Sequence, residues 1–259
     1  MRRTFPRPAL RRVALIAGFA VLFLVAFAAA AHDTIERIVL ERALGGAFGG
    51  NAAIATLRHA DGLTVIEGVR LQTAGSSATV TADRIAYVVT GDSWDVRPTG
   101  LHVTIDVDRL TGDELGGARN AAHALNIGRL LLHVKNAAVT FTRGTAGAPK
   151  VELVGVDGTL DANAQLGYDL HGSLIAATGA YPFAARALAD AGAGGGVRWT
   201  AAALPLAPIA ALLDNGDLAV TDGEARDVTF TSAGGLRGTF TLAGVRASIA
   251  GHDVHGLAG

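Results

Sequence analysis

The chain has 259 residues, a formal net charge of −1 and no cysteine. A charge balance this close to zero provides no basic field for nucleic acid, and the lack of cysteine excludes disulfides and thiolate metal sites. Only 17% of the residues are charged and 5% are aromatic, yet the mean hydropathy is positive. The composition therefore predicts a protein rich in apolar surface, with no nucleic-acid partner.

The N-terminal segment predicts membrane targeting. Residues 13–31 form an uncharged apolar run, and residues 1–12 before it contain five arginines. A helix that crosses a hydrocarbon core of about 30 Å needs about 20 apolar residues, and flanking arginines remain on the cytoplasmic side. We therefore expect a cytoplasmic basic tail (1–12) and a transmembrane signal-anchor (13–31). The small residues that end the run also fit a cleaved signal peptide, and either reading places the body outside the cytoplasm.

Directly after this segment, residues 33–46 predict an amphipathic helix. Ile35, Ile38 and Val39 recur at helical spacing, and Gly45-Gly46 provides a stop. Periodicity alone leaves two roles open for it. It is either a short packing helix or a plug over the end of a β structure.

From residue 50 the apolar period changes to two, which predicts an antiparallel β domain over residues 50–259. The clearest run is Leu101, Val103, Ile105 and Val107, which alternates with polar residues. Other alternating stretches lie at 63–71, 78–87, 132–141, 166–170, 228–230 and 236–242. Turns are predicted at Asp61-Gly62, Gly91-Asp92, Asp157-Gly158, Asn215-Gly216 and Asp222-Gly223.

Three stretches interrupt the predicted strands. Asp113–Leu125 and Tyr181–Ala191 are rich in alanine and predict helices, and Leu204–Leu213 predicts a short apolar helix started by Pro208. Residues 218–230 and 236–249 form a loose repeat, and the alternation continues to the last residues. This pattern fits a part of a longer repetitive array.

The sequence contains no recognisable catalytic constellation. Gly-x-Ser-x-Gly, a phosphate-binding P-loop and His-Glu-x-x-His are all absent. Asp106 and Asp108 share one face of a predicted strand, where carboxylates are usually only solvated. His252 and His255 are three apart and would point to opposite faces of a strand. We therefore predict no catalytic residue, no metal site and no cofactor, and a protein that is not an enzyme.

The order of these parts resembles the N-terminal region of the AsmA-like family of Gram-negative envelope proteins, the group of AsmA, TamB and YdbH. The resemblance is carried by Leu-Glu-Arg-Ala-Leu-Gly-Gly-Ala-Phe-Gly-Gly (40–50), by the glycine-flanked strand at 62–71, by the stretch at 78–87 with Ala-Asp-Arg-Ile, and by the apolar segment at 204–213. It spans most of the chain and consists of patterns rather than catalytic residues.

The resemblance implies a mainly β fold, with an N-terminal transmembrane helix followed by a curved antiparallel β-sheet that forms an open groove, with short interspersed helices. It further implies an inner-membrane protein that takes part in phospholipid transport between envelope membranes or in outer-membrane biogenesis. Its partners would be phospholipid acyl chains, the inner membrane and other envelope proteins. The candidate lipid-groove residues are Leu101, Val103, Ile105, Val107, Leu236, Phe240 and Leu242.

The alternative is a structural or interaction protein of the cell envelope without lipid cargo. In that case the strands form a β-sandwich or a β-helix, and the same apolar side chains are simply its core. An open, lipid-sized furrow along the sheet would favour the groove, and a filled two-sheet core would favour the sandwich.

Overall fold

The computed structural model describes residues 34–46, 50–73, 75, 77–109, 129–143, 150–162, 166–187, 197–213, 218–231, 237–249 and 252–257. The chain divides into two compact units, Met1–Leu40 and Glu41–Gly259. The described part of the first unit, residues 34–40, is helical, and residues 41–46 at the start of the second are helical too. We label residues 34–46 helix α1.

The predicted membrane span at residues 13–31 lies outside the described residues, as does the predicted helix at Asp113–Leu125. Within the described ranges, no helix is both long enough and apolar enough to cross a membrane.

The second unit is built mainly from strands. The strands are β1 (Asn51–Ala53), β2 (Thr56–Ala60), β3 (Leu63–Gln72), β4 (Ala78–Thr90), β5 (Ser93–Thr99), β6 (His102–Asp106), β7 (Arg129–Thr142), β8 (Lys150–Ala162), β9 (Leu166–Ala176), β10 (Gly179–Ala187), β11 (Val197–Pro205), β12 (Leu218–Thr231), β13 (Arg237–Ile249) and β14 (His252–Leu257). A 3-10 turn covers Val107–Arg109, and helix α2 covers Leu206–Leu213. The predicted mainly β fold is therefore confirmed.

All the described strands belong to one sheet, in the order β1-β3-β4-β5-β7-β8-β9-β10-β11-β12-β13-β14. β2 pairs with β3 next to β1, and β6 lies between β4 and β7 next to β5. Neighbours are antiparallel except that β5 and β6 run parallel to β7. The sheet is therefore mixed, and the prediction of a purely antiparallel sheet is wrong at this point. A parallel pair needs a connection of about a dozen residues or more, which the stretch from β6 to β7 provides.

A row of backbone kinks crosses adjoining strands of the sheet. Positive φ angles occur at Gly68 (62°) in β3, Gly100 (64°) between β5 and β6, Asn136 (49°) in β7 and Gly155 (57°) in β8. These residues occupy neighbouring positions in the strand registers. Each kink shifts the alternation by one residue, as a β-bulge does. In β7 the apolar series Leu130, Leu132, Val134 accordingly gives way to Ala137, Val139, Phe141, and one face stays apolar along the whole strand.

Gly68 offers a test of this kink. Its φ is +62°, and an added Cβ would lie 2.7 Å from the Cβ of Ala55. Gly68→Ala should therefore lower the free energy of unfolding by about 1–3 kcal/mol, from backbone strain and the clash together. Gly62→Ala is the matched control, because Gly62 has φ +75° but nothing within 4 Å of its Cβ position. Urea unfolding followed by circular dichroism should show the smaller loss for Gly62→Ala, and equal losses would contradict a close approach at Gly68.

The predicted helix at Tyr181–Ala191 is wrong, because residues up to Ala187 form strand β10. Tyr181, Phe183 and Ala185 alternate and are buried. The sequence of this segment therefore has a period of two in spite of its high alanine content. The predicted helix at Leu204–Leu213 is confirmed in its main part, since α2 begins at Leu206 and Pro208 lies in its first turn.

Two of the predicted turns are confirmed and two are wrong. The chain does turn at Asp61-Gly62 and Gly91-Asp92. Asp157-Gly158 and Asp222-Gly223 instead lie inside β8 and β12, next to shifts of register. Asn215-Gly216 lies outside the described residues. An Asp-Gly pair supplies a positive φ to a bulge as readily as to a turn, so the dipeptide alone does not choose between them.

Candidate apolar ligand-binding cavity

One face of the sheet carries a partly open cavity of about 560 Å³. Its wall is formed only by hydrophobic side chains, which are Ile105, Val107, Phe141, Val151, Leu153, Leu174, Trp199, Leu204, Leu206, Ile209, Leu212, Ala225, Val228, Phe230 and Phe240. The volume lies within the range of roughly 300–1,000 Å³ that is typical of small-molecule sites. The site can thus accept an apolar molecule but provides no polar side chain in its wall to orient a reaction.

Helix α2 forms one side of this cavity through Leu206, Ile209 and Leu212, which are spaced three residues apart and share one helix face. The helix packs on both β12 and β8, which are separated by three strands in the sheet. The helix therefore lies on the same face of the sheet as the strand residues that form the rest of the wall.

A row of four aromatic rings crosses neighbouring strands at one end of the cavity. Ring centroids lie 5.7 Å apart for Phe183–Trp199, 6.3 Å for Trp199–Phe230 and 6.4 Å for Phe230–Phe240. Gly238 is paired with Phe230, and a Cβ at Gly238 would collide with that ring. Because Gly238 has no side chain, the ring of Phe230 can lie over its backbone, and this holds Phe230 in the row of rings.

The apolar face continues beyond the cavity towards the other end of the strands. Tyr87, Val96, Leu132, Leu160 and Tyr168 follow one another across β4, β5, β7, β8 and β9 in direct register. Directly opposed residues in a sheet present their side chains on the same face. Along β9, Tyr168 alternates in step with Leu174 of the cavity wall, so the ladder and the cavity share one face. Together they form a continuous apolar surface.

The structure brings three of the candidate groove residues into the cavity wall, namely Ile105, Val107 and Phe240. Val107 belongs to the 3-10 turn rather than to the predicted strand, because β6 ends at Asp106.

The other candidates lie near the cavity without forming its wall. Val103 is paired with Val139 in β7 and shares a face with Ile105, while Leu242 is paired with Ala225 of the wall. Leu101 precedes β6 and packs against the core next to the cavity. Leu236 lies outside the described residues. Their role in holding a lipid remains a prediction.

Several wall residues were not predicted from the sequence. Trp199, Leu153 and Leu174 lie in strands whose full extent the alternation did not reveal, and the α2 residues were recognised as helical but not as part of a site. The available signal for β9 was the alternation of Tyr168, Leu170 and Leu174, in which Gly172 takes the remaining position on the same face.

Arg143 links two elements that contribute to the cavity wall. Its Nε lies 3.0 Å from Oδ1 of Asp108, and its Nη1 donates a hydrogen bond of 3.5 Å to the carbonyl oxygen of Leu212 in the last turn of α2. A cation at a helix C-terminus is favourable because the last carbonyls carry partial negative charge. Arg143 thereby ties α2 to the 3-10 turn after β6, and both elements contribute wall residues.

The two aspartates that share a face of the predicted strand, Asp106 and Asp108, each form an ion pair with an arginine. Asp108 contacts Arg143, and Oδ2 of Asp106 lies 3.2 Å from Nε of Arg109. In the part of the chain that the structure describes, no group of three or more metal-ligating side chains comes together.

The opposite face of the sheet carries charged residues, together with the buried Val65 and Ala86 that are in register with Arg97. It carries exposed ion pairs between Arg97 and Asp95 and between Arg186 and Asp169, and Arg129 pairs with Asp161 at the edge. The hydrogen bonds that each guanidinium donates to its partner carboxylate, supported by the negative charge of that carboxylate, raise the pKa of Arg97 and of Arg129.

No protein-family model matches the chain, and no curated protein sequence is significantly similar to it.

Proposed function

We propose that this protein binds the acyl chain of a phospholipid on the apolar face of its sheet. The single observation that carries the proposal is the cavity of about 560 Å³ whose wall is entirely hydrophobic. Burial of each methylene group of a bound chain would contribute about 0.8 kcal/mol without any polar contact. A site of this kind needs apolar area and length rather than catalytic groups.

The volume argues against an ordinary closed core. A sealed empty cavity costs about 24 cal/mol per Å³, which for this volume amounts to about 13 kcal/mol. The whole stability of a domain is typically about 5–15 kcal/mol. The space is therefore better explained by contact with solvent or by an occupant, and an apolar wall favours an apolar occupant over water.

We further propose that the protein is a single-pass inner-membrane protein with its body in the periplasm, and that its groove takes part in phospholipid transport or outer-membrane biogenesis. The support is the apolar run at 13–31 behind five arginines, together with the resemblance to the AsmA-like family. A protein anchored in a bilayer has phospholipid acyl chains as its most abundant apolar neighbours.

Trp199 gives a direct test of acyl-chain binding, because it is one of only two tryptophans and it lines the cavity. The variant Trp94→Phe leaves Trp199 as the only tryptophan. We expect a phospholipid brominated on its acyl chain, titrated into this full-length variant in detergent, to quench most of its emission, because bromine quenches on contact. Excess unbrominated phospholipid should restore the emission.

The matched variant is Trp199→Phe, which retains Trp94. Trp94 stacks on Tyr87 with ring centroids 5.4 Å apart and lies outside the cavity wall. Its emission should fall much less. Unchanged Trp199 emission, or equal quenching of both tryptophans, would overturn the proposed acyl-chain site.

A further inference from the structure

Helix α1 presents large apolar side chains to solvent. Ile35, Ile38 and Val39 are 62%, 38% and 59% exposed, and they are three of the six exposed large hydrophobic residues in the part of the chain that the structure describes. Positions three and four residues apart share one face of a helix, so these side chains form one surface, which the exposed Arg42 continues by a further turn. We call these four residues the outer face of α1. A contiguous apolar surface of this kind indicates a partner.

The opposite side of α1 is covered in a different way. Leu44 comes nine residues after Ile35, which at about 100° per residue places it on the opposite side of the helix, and it is half-buried. Oε1 of Glu41 accepts a hydrogen bond of 2.7 Å from the backbone nitrogen of Ile54. A helix that is apolar on two sides needs cover on both. The burial of Leu44 and the hydrogen bond of Glu41 account for one side only.

The place of the outer face in the chain identifies its occupant. The proposed membrane anchor ends at residue 31, and α1 begins at residue 34. Three steps along the backbone span at most about 11 Å, and the headgroup layer on each side of a hydrocarbon core is roughly 5–8 Å thick. The apolar side chains of the outer face lie in the first two turns of α1, next to this connection. The length of the chain alone therefore keeps them within reach of the bilayer surface.

We propose that α1 lies on the surface of the membrane that holds residues 13–31, with its outer face in contact with lipid. Ile35, Ile38 and Val39 then enter the boundary between headgroups and acyl chains, to a depth of about 5–10 Å, and the long side chain of Arg42 places its guanidinium at the phosphates. This inference rests on the proposed membrane anchor and is independent of the proposed acyl-chain site.

The apolar contacts have to supply the attraction to the membrane. Helix α1 contains two glutamates and two arginines, so it has no net charge that would draw it to anionic lipids. The attachment to the anchor compensates for this, because a tethered helix meets the surface at a high effective concentration. A helix that binds weakly as a free peptide can therefore remain on the membrane in the full-length protein.

A spin label on the outer face gives a direct test. The chain contains no cysteine, so Val39→Cys provides a unique site for a nitroxide label. The full-length protein is reconstituted into vesicles of phosphatidylethanolamine and phosphatidylglycerol, and paramagnetic resonance measures collisions of the label with oxygen, which concentrates in lipid, and with a water-soluble nickel chelate. We expect several-fold fewer nickel collisions and more oxygen collisions at Val39 than for a label at Thr90→Cys, an exposed polar position at the end of β4.

A substitution elsewhere on the outer face shows whether lipid causes this difference. Ile35→Asp places a charge on the outer face, and an acidic residue in the first turn is favourable for the helix itself. A carboxylate resists transfer out of water, so this variant should raise the nickel collisions of the Val39 label to about the level at Thr90. Ile35→Leu is the matched control and should leave them unchanged. Circular dichroism should show the same helix content in both variants.

Flotation of the vesicles in a density gradient separates the possible failures. A Val39 label that is open to nickel in protein that floats with the vesicles would overturn this inference alone, as would nickel collisions that Ile35→Asp does not change. A label shielded from both nickel and oxygen would indicate contact with protein, such as a second copy of this chain, and would overturn the lipid contact. Failure of the protein to float would overturn the proposed anchor and this inference with it.

Discussion

Val228→Asp is expected to unfold the β domain. Val228 is only 1% exposed, and it lies in the cavity wall opposite Ala201 of β11. A carboxylate at this position would be removed from water without a charged partner, at a cost of several kcal/mol. Against a typical stability of about 5–15 kcal/mol, a loss of this size removes most of the folded population. Circular dichroism and urea unfolding should show a lost or strongly shifted cooperative transition.

The adjacent residue provides the control. Thr229 is half-buried, and it is paired with Thr200 and Thr239, so its surroundings on its own face are polar. Thr229→Asp places the same charge one position along the same strand, and we expect a loss of less than about 1 kcal/mol. Equal stability of the two variants would show that Val228 is not packed in a dry wall and that the described face is accessible to water.

The strands with a period of two over most of their length were predictable from the sequence. β3, β4 and β6 were recognised because their apolar residues alternate with polar ones over several positions. A strand that is buried on one side alternates apolar and polar residues, whichever strands lie next to it in the sheet.

Strands that contain bulges were harder to recognise. β8 carries Gly155 with φ 57° and Gly158 with φ 143°, and its Asp157-Gly158 pair looked like the end of a strand. The pair is part of the strand because Oδ1 of Asp157 accepts a hydrogen bond of 2.7 Å from the backbone nitrogen of Asn136 in β7. The partner strand thus decides between a bulge and a turn, and a local pattern does not contain that information.

The cavity could be predicted only in part for a related reason. Ile105 and Phe240 were candidates because each alternates with polar neighbours. That Trp199, Leu153 and α2 form one wall with them depends on the order of the strands in the sheet and on the packing of α2 on both β8 and β12. Both are properties of many strands together, which the local pattern of a single strand does not contain.

Phe240→Asp should separate a ligand groove from a closed core. Phe240 lines the cavity yet is 48% exposed, so a carboxylate there can keep much of its hydration while no ligand is bound. We therefore expect the variant to fold with a loss of no more than about 1–2 kcal/mol, mainly from the missing contact with Phe230. Binding of an acyl chain would strip water from the charge, and a cost of about 2.8 kcal/mol corresponds to a 100-fold weaker affinity.

The measurement is quenching of Trp199 by brominated phospholipid in the Trp94→Phe background, with a urea unfolding curve for each variant. Phe240→Leu is the control, because it retains an apolar side chain and should bind within a few-fold of the parent. A closed sandwich predicts the opposite result for Phe240→Asp, since a charge forced into a sealed core unfolds the protein. A folded Phe240→Asp protein that binds phospholipid as tightly as its parent would show that Phe240 does not contact the bound acyl chain. The combination expected here, a retained fold with lost binding, requires the apolar face to be open to solvent when it is empty and dry when it is occupied.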